Sequence, residues 1–170
     1  MDSTRIHPVG GNHAIEVMAI AVEWVSPPLD DAQIQSLQAV YEANTDIKAF
    51  LPTLVPVQAF VFQGVNQFGV AGPDGKGQLP PQNVTPPQLI ARNGGFDLQR
   101  FDPKGNVTWV ASIRPEFISV NCTAYDRWMN VKPQALAILR PFLDAAMAKG
   151  AMVNAIGLQY QDAFRLLDGA

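Results

Sequence analysis

Few side chains in this chain have the types and spacing that chemistry needs. His7 and His13 stand six apart near the amino terminus, and Cys122, the only cysteine, lies far from both. A metal site needs several such ligands converging at fixed spacing, so none is expected. Cys122 would need a distant histidine folded against it to act as a nucleophile, whereas its place after Ile118 and Val120 in an alternating stretch is that of a small core hydrophobe. Asp30-Asp31, Asp126 and Asp162 could form acid-base pairs if two carboxylates were held close. Each has a plainer role, the first pair as a helix cap and the others as solvated charges near element ends. Gly72-Pro73-Asp74-Gly75-Lys76-Gly77 is rich in glycine, yet no Ser or Thr follows Lys76 and no helical pattern opens behind it. It reads as a loop tip, not a phosphate cradle. With no secretion expected from the shape of the amino terminus, the Asn-x-Thr triplets at Asn83, Asn106 and Asn121 read as chance matches. The expectation is therefore no catalytic residues, no cofactor and no metal.

Composition points to binding instead. Hydrophobic residues make up 48% of the chain and charged residues 16%, against roughly 25% charged in ordinary soluble domains. Surface so poor in charge favours a homo-oligomer or a stable protein partner. Twelve basic and fifteen acidic residues give a net charge of −3 with no basic run, which argues against nucleic acid and anionic membrane as partners. A lone cysteine cannot form an intramolecular disulfide, and the apolar run 14–25 contains Glu16 and Glu23 and is too short to span a bilayer. A cytoplasmic location is the default expectation.

The elements follow from periodicity and punctuation. Residues 1–12, with Pro8 and two glycines, read as a flexible arm, and 13–170 as one α+β domain. From Ala14 to Val25 both alternating sets are apolar, Met18, Ile20, Val22 and Trp24 on one side and Ile15, Val17, Ala19 and Ala21 on the other. Such a strand is central in a sheet or covered by a second subunit. Asp30 with Gln33 three positions on predicts a capping box and a helix over 31–43, with Ile34, Leu37 and Tyr41 inward. Val57 to Phe62 reads as an edge strand and 64–87 as a long Gly/Pro-rich loop. Phe96 to Phe101, Val107 to Arg114 and Phe117 to Cys122 form a meander, the first pair joined through Asp102-Pro103-Lys104-Gly105-Asn106. Lys132-Pro133 predicts the start of a long helix, kinked at Pro141 and ended at Lys149-Gly150. Met152, Ile156, Leu158 and Tyr160 supply a last strand. The fold expected is α+β, a curved, mainly antiparallel sheet with two helices on one face, in the order β-α-β-β-β-β-α-β.

Trp109, the run Phe117-Ile118-Ser119-Val120-Asn121, the step Tyr125-Asp126-Arg127-Trp128, the long helix and Ile156-Gly157-Leu158-Gln159-Tyr160, with Ile15 through Tyr41 ahead of them, together resemble a sporadically distributed, uncharacterised family of bacterial and archaeal proteins. Its members commonly carry a further half, and the resemblance supplies no catalytic residues. The run from Pro141-Phe142 through Gly150 to Leu158, Tyr160 and Asp162-Ala163-Phe164 is similar to the end of SecB-type export chaperones. That likeness implies α+β subunits that hold unfolded chains in apolar grooves and assemble as dimers of dimers.

These readings converge on a non-enzymatic module that binds another protein, as an antitoxin-like or immunity-like accessory. A SecB-like chaperone and a small-molecule-binding or enzymatic domain are the alternatives. Ala19, Ala21, Trp24, Trp109, Tyr125 and Trp128 are the expected interface residues, because small side chains admit a second layer and aromatic ones dominate interface energetics.

Overall fold

The computed structural model describes residues 5–8, 14–63 and 88–167. The expected loop 64–87, with its Gly72 to Gly77 tip and Asn83, and His13 lie outside the described residues. The chain divides into two compact units, Met1–Val57 with Gly94–Ala170, and Gln58–Asn93. Within the second unit the described residues are extended strand.

The elements are β1 (Arg5–Pro8), β2 (Ile15–Trp24), α1 (Asp31–Ala43), α2 (Thr45–Phe50), β3 (Thr53–Gln63), β4 (Gln88–Phe101), β5 (Val107–Ile113), β6 (Phe117–Cys122), α3 (Trp128–Ala148), β7 (Val153–Asp162) and β8 (Phe164–Leu167). A six-stranded antiparallel sheet runs β3-β4-β5-β6-β2-β7, and β1 pairs with β8 in a separate two-stranded sheet. The α+β class and the antiparallel sheet with helices are as the sequence reading has them.

Several boundaries differ, each for a physical reason. Within the expected arm, Arg5–Pro8 is a strand because Phe164–Leu167 offers it a ladder. α2 is a further helix, nucleated where the Asn44 side chain accepts from the Ile47 amide at 2.9 Å. β3 begins at Thr53 and contains Pro56, tolerable at a sheet edge where the missing N–H breaks no ladder bond. α3 begins at Trp128, a turn before Lys132, so both Pro133 and Pro141 lie inside it. The carbonyls that lose their helical donors belong to Met129 and Ala137, both exposed residues, where solvent is free to supply a donor.

One core lies between the sheet and the helices. The pairs Met18↔Cys122, Ala111↔Val120, Ile113↔Ile118 and Phe96↔Ile113 put the buried side chains of β2, β4, β5 and β6 on a single face. Ile34, Leu37 and Tyr41 of α1 and Val131, Ala135, Ile138, Leu139 and Phe142 of α3 close over it. The capping box forms as the sequence predicts, with Asp30 accepting from the Gln33 amide at 2.7 Å and Gln33 accepting from the Asp30 amide at 2.9 Å. Gln33 also donates to the Lys149 carbonyl at 3.2 Å, tying the start of α1 to the end of α3.

Candidate protein-docking face

β7 follows α3 through Gly150, whose φ of +88° suits glycine at a helix end. It enters the sheet beside β2 as an edge strand. The register Met18↔Tyr160, Ile20↔Leu158 and Val22↔Ile156 places Ile156, Leu158 and Tyr160 on the core side of the sheet. A register shift at the end of β2 sets Val153 opposite buried Trp24 and brings it to that side too. The core nevertheless stops short of them. All ten residues of β7 are exposed, with Ile156 at 73% and Leu158 at 50%. Among the described residues no strand pairs with the outer edge of β7, so a row of backbone N–H and C=O groups faces outward. Natural edges are blunted by charge, proline or bulges, whereas β7 has no charge before Asp162 and no proline.

α3 stands beside this row. The Tyr160 ring takes Tyr125 edge-on at 6.1 Å and Trp128 at 6.2 Å. Helical spacing from Trp128 puts Lys132, Leu136, Leu143 and Met147 on the same stripe, and Leu136 and Met147 are 39% and 46% exposed. Lys132 Nζ lies 5.9 Å from the centre of the Trp128 ring. The result is half a groove, with an apolar floor on β7 and one wall on α3.

The remaining expected interface residues separate into two groups. Trp24 at 5% and Trp109 at 9% exposure are core side chains, which leaves them little surface to offer a partner. Their apolar bulk reads alike in sequence whether it faces core or partner. The Trp24 indole N–H is buried without a hydrogen-bond partner among the described residues. Ala19 and Ala21 are half-buried on the opposite face of the sheet. There Ala21 pairs with Gly157 on one side and Ser119 on the other, and Ser119 pairs with Ser112 and Ser112 with Asp97, a low row across five strands. Asp97 closes it, accepting from Ser112 and from Arg114, both at 2.7 Å.

The side chains with chemical potential do not converge. Cys122 is fully buried, and burial pushes its thiol up to about 11, which removes thiolate character at neutral pH. Asp30 is occupied as a cap, and Asp126 accepts from Asn130 at 2.9 Å. Among the described residues no group of three or more His, Cys, Asp or Glu could hold a metal. No described helix is long and apolar enough to cross a membrane. A groove of about 500 Å³ lies where α2, the β4-β5 turn and the start of α3 meet. In it Arg100 stacks on Phe50 at 4.6 Å beside Trp109, Asp126 and Gln134. It holds no nucleophile paired with a base.

Ile156, Leu158, Val153 and Leu136 were not among the expected interface residues. For the three on β7 the signal was the uncharged run between Lys149 and Asp162, legible as an unprotected edge only once β7 is known to be outermost, whereas Leu136 on α3 reads in sequence as one more apolar helix position. Comparison of the chain with protein-family models, with curated proteins and with solved structures finds no match.

Proposed function

We propose that this chain is a non-enzymatic protein-binding module that takes an extended segment of another polypeptide along β7, with apolar side chains of that segment resting between β7 and α3. The single observation behind the reading is the exposure of all ten β7 residues beside the exposed stripe of α3. The alternating row of Ile156, Leu158 and Tyr160 offers apolar contact to every second side chain of a segment lying over β7, and the exposed stripe of α3 flanks it. An accessory role of the antitoxin or immunity kind requires one partner with a matching segment. A chaperone role of the SecB kind requires tolerance of many, and the neutral, apolar character of the row, which carries no charge to select a sequence, favours that second reading enough to test it.

Titration with a reduced, carboxymethylated unfolded protein is the direct experiment. Slower hydrogen exchange at the β7 amides, with aggregation of the client suppressed at stoichiometric ratio, is the expected result for a holder of unfolded chains. Protection by one native partner but by no unfolded client marks the accessory role. Unchanged exchange along β7 with every polypeptide tried removes the proposal.

A further inference from the structure

The half-groove has a floor and one wall, and its open side is the unpaired edge of β7. We infer that a second copy of this chain pairs with that edge, β7 antiparallel to β7 about a two-fold axis, and that the pairing converts two half-grooves into one channel walled by both copies of α3. This rests on the protein-binding reading and names what completes its site.

Two observations favour a second copy over a different strand at this edge. The first is self-complementarity of charge: Lys149 precedes the strand and Asp162 ends it, both exposed, with nothing charged between. An antiparallel copy sets each Asp162 toward the other's Lys149 end and keeps the two Asp162 side chains at opposite ends of the pair, whereas a parallel neighbour would set like charges together. The second is geometry. The joined sheet would read β6-β2-β7-β7-β2-β6, and α3 packs on β6. Five strand spacings put the two α3 axes about 24 Å apart, and subtracting one helix diameter leaves a channel of about 12 Å. That width takes one extended chain or one helix over a floor of two Ile156, two Leu158 and two Tyr160 side chains.

The experiment combines light scattering with cross-linking. The midpoint of Val153–Asp162 falls between Gly157 and Leu158, so the axis passes through one of them and sets that residue opposite its own copy. Opposed Cα atoms about 4.5–5.5 Å apart suit a disulfide. Gly157→Cys or Leu158→Cys should therefore cross-link the dimer under mild oxidation. Buried Cys122 does not compete. Ile156→Lys, at a position already 73% exposed, should weaken the dimer on the order of a hundredfold while circular dichroism stays unchanged, because the copies bring like charges together. Should that variant fail to fold, the two cysteine variants decide alone. A wild-type monomer at tens of micromolar overturns the inference, and so does a dimer that neither cysteine cross-links. If the monomer still gains β7 protection from the carboxymethylated client, the protein-binding reading stands and only the second copy falls. If it gains none, both fall.

Discussion

The Trp128 ring meets the Tyr160 ring edge-on, with centroids 6.2 Å apart and planes at 75°. One residue opens α3 and the other lies near the end of the exposed strand, so this contact, with Tyr125 on the same ring, joins the wall of the groove to its floor. Edge-to-face aromatic pairs add about 0.5–1.5 kcal/mol beyond the area they bury.

Trp128→Ala is accordingly expected to lower stability by about 2 kcal/mol, less than a fully buried tryptophan would cost because the ring is half-exposed. The urea midpoint measures the loss. Hydrogen exchange should show it concentrated in the second half of β7, and an even loss across all strands would place the ring's role in the general core.

Gly95 has a φ of +95°, and a Cβ there would collide with the Ile113 carbonyl oxygen on the neighbouring strand. Gly95→Ala must therefore distort the β4-β5 ladder as well as strain its own backbone, with an expected cost of about 3 kcal/mol or more. A thermal unfolding midpoint within a degree or two of wild type would contradict this.

The thiol of Cys122 is raised by burial to about 11, a nearby Asp126 charge adding to the shift. The unfolded thiol begins to lose its proton near its ordinary value of 9.0, while the folded one keeps it. Above pH 9 the unfolded state thus binds fewer protons, and stability contributed by this group falls until about pH 11. Unfolding in urea at pH 7, 9 and 10.5 should show that decline, and Cys122→Ala should flatten part of it. Tyr41 and Tyr125 are raised in the same direction, chiefly by burial, and add to the decline.

How much of this could be read from sequence depends on whether the cause was local. The capping box of Asp30 and Gln33 is fixed by residues three apart, and the helix it starts has the predicted span. The start of α3 was misplaced because Pro133 is locally a first-turn residue, while packing of Trp128 on Tyr160, some thirty positions later, extends the helix backwards. β1 and β8 are too short for periodicity and exist through each other. The docking face was the least legible part. Ile156, Leu158 and Tyr160 alternate as the core residues of any strand do, and only their place on the edge strand, which α3 and α1 do not cover, leaves them exposed.

Asp30→Ala removes the oxygen that accepts from the Gln33 amide, while the backbone N–H at position 30, which donates to the Gln33 side chain, is kept. Loss of an N-cap costs about 1 kcal/mol. Because Gln33 also holds the Lys149 carbonyl, exchange should quicken at the end of α3 as well as at the start of α1. Quickening confined to α1 would show that the Gln33 bridge does not depend on the cap.

The two faces of β2 make opposite predictions for one substitution. Ala19 is half-buried on the face away from the helices, with Asn121 and Gln159 beside it in register. A carboxylate there points into a polar, partly solvated row, so Ala19→Glu should change stability by no more than about 0.5 kcal/mol. If the second copy joins at the β7 edge, the substitution also leaves the oligomeric state unchanged, since Ala19 is one strand in from that edge and on the far side of the sheet from the groove. If the outer face itself is the contact, as expected of a small-residue surface, an unpaired charge at its centre separates the protein into folded monomers. Light scattering of Ala19→Glu beside Ile156→Lys therefore locates the interface: dissociation by the lysine alone places it at β7, and dissociation by the glutamate alone places it on the face that carries Ala19 and Ala21.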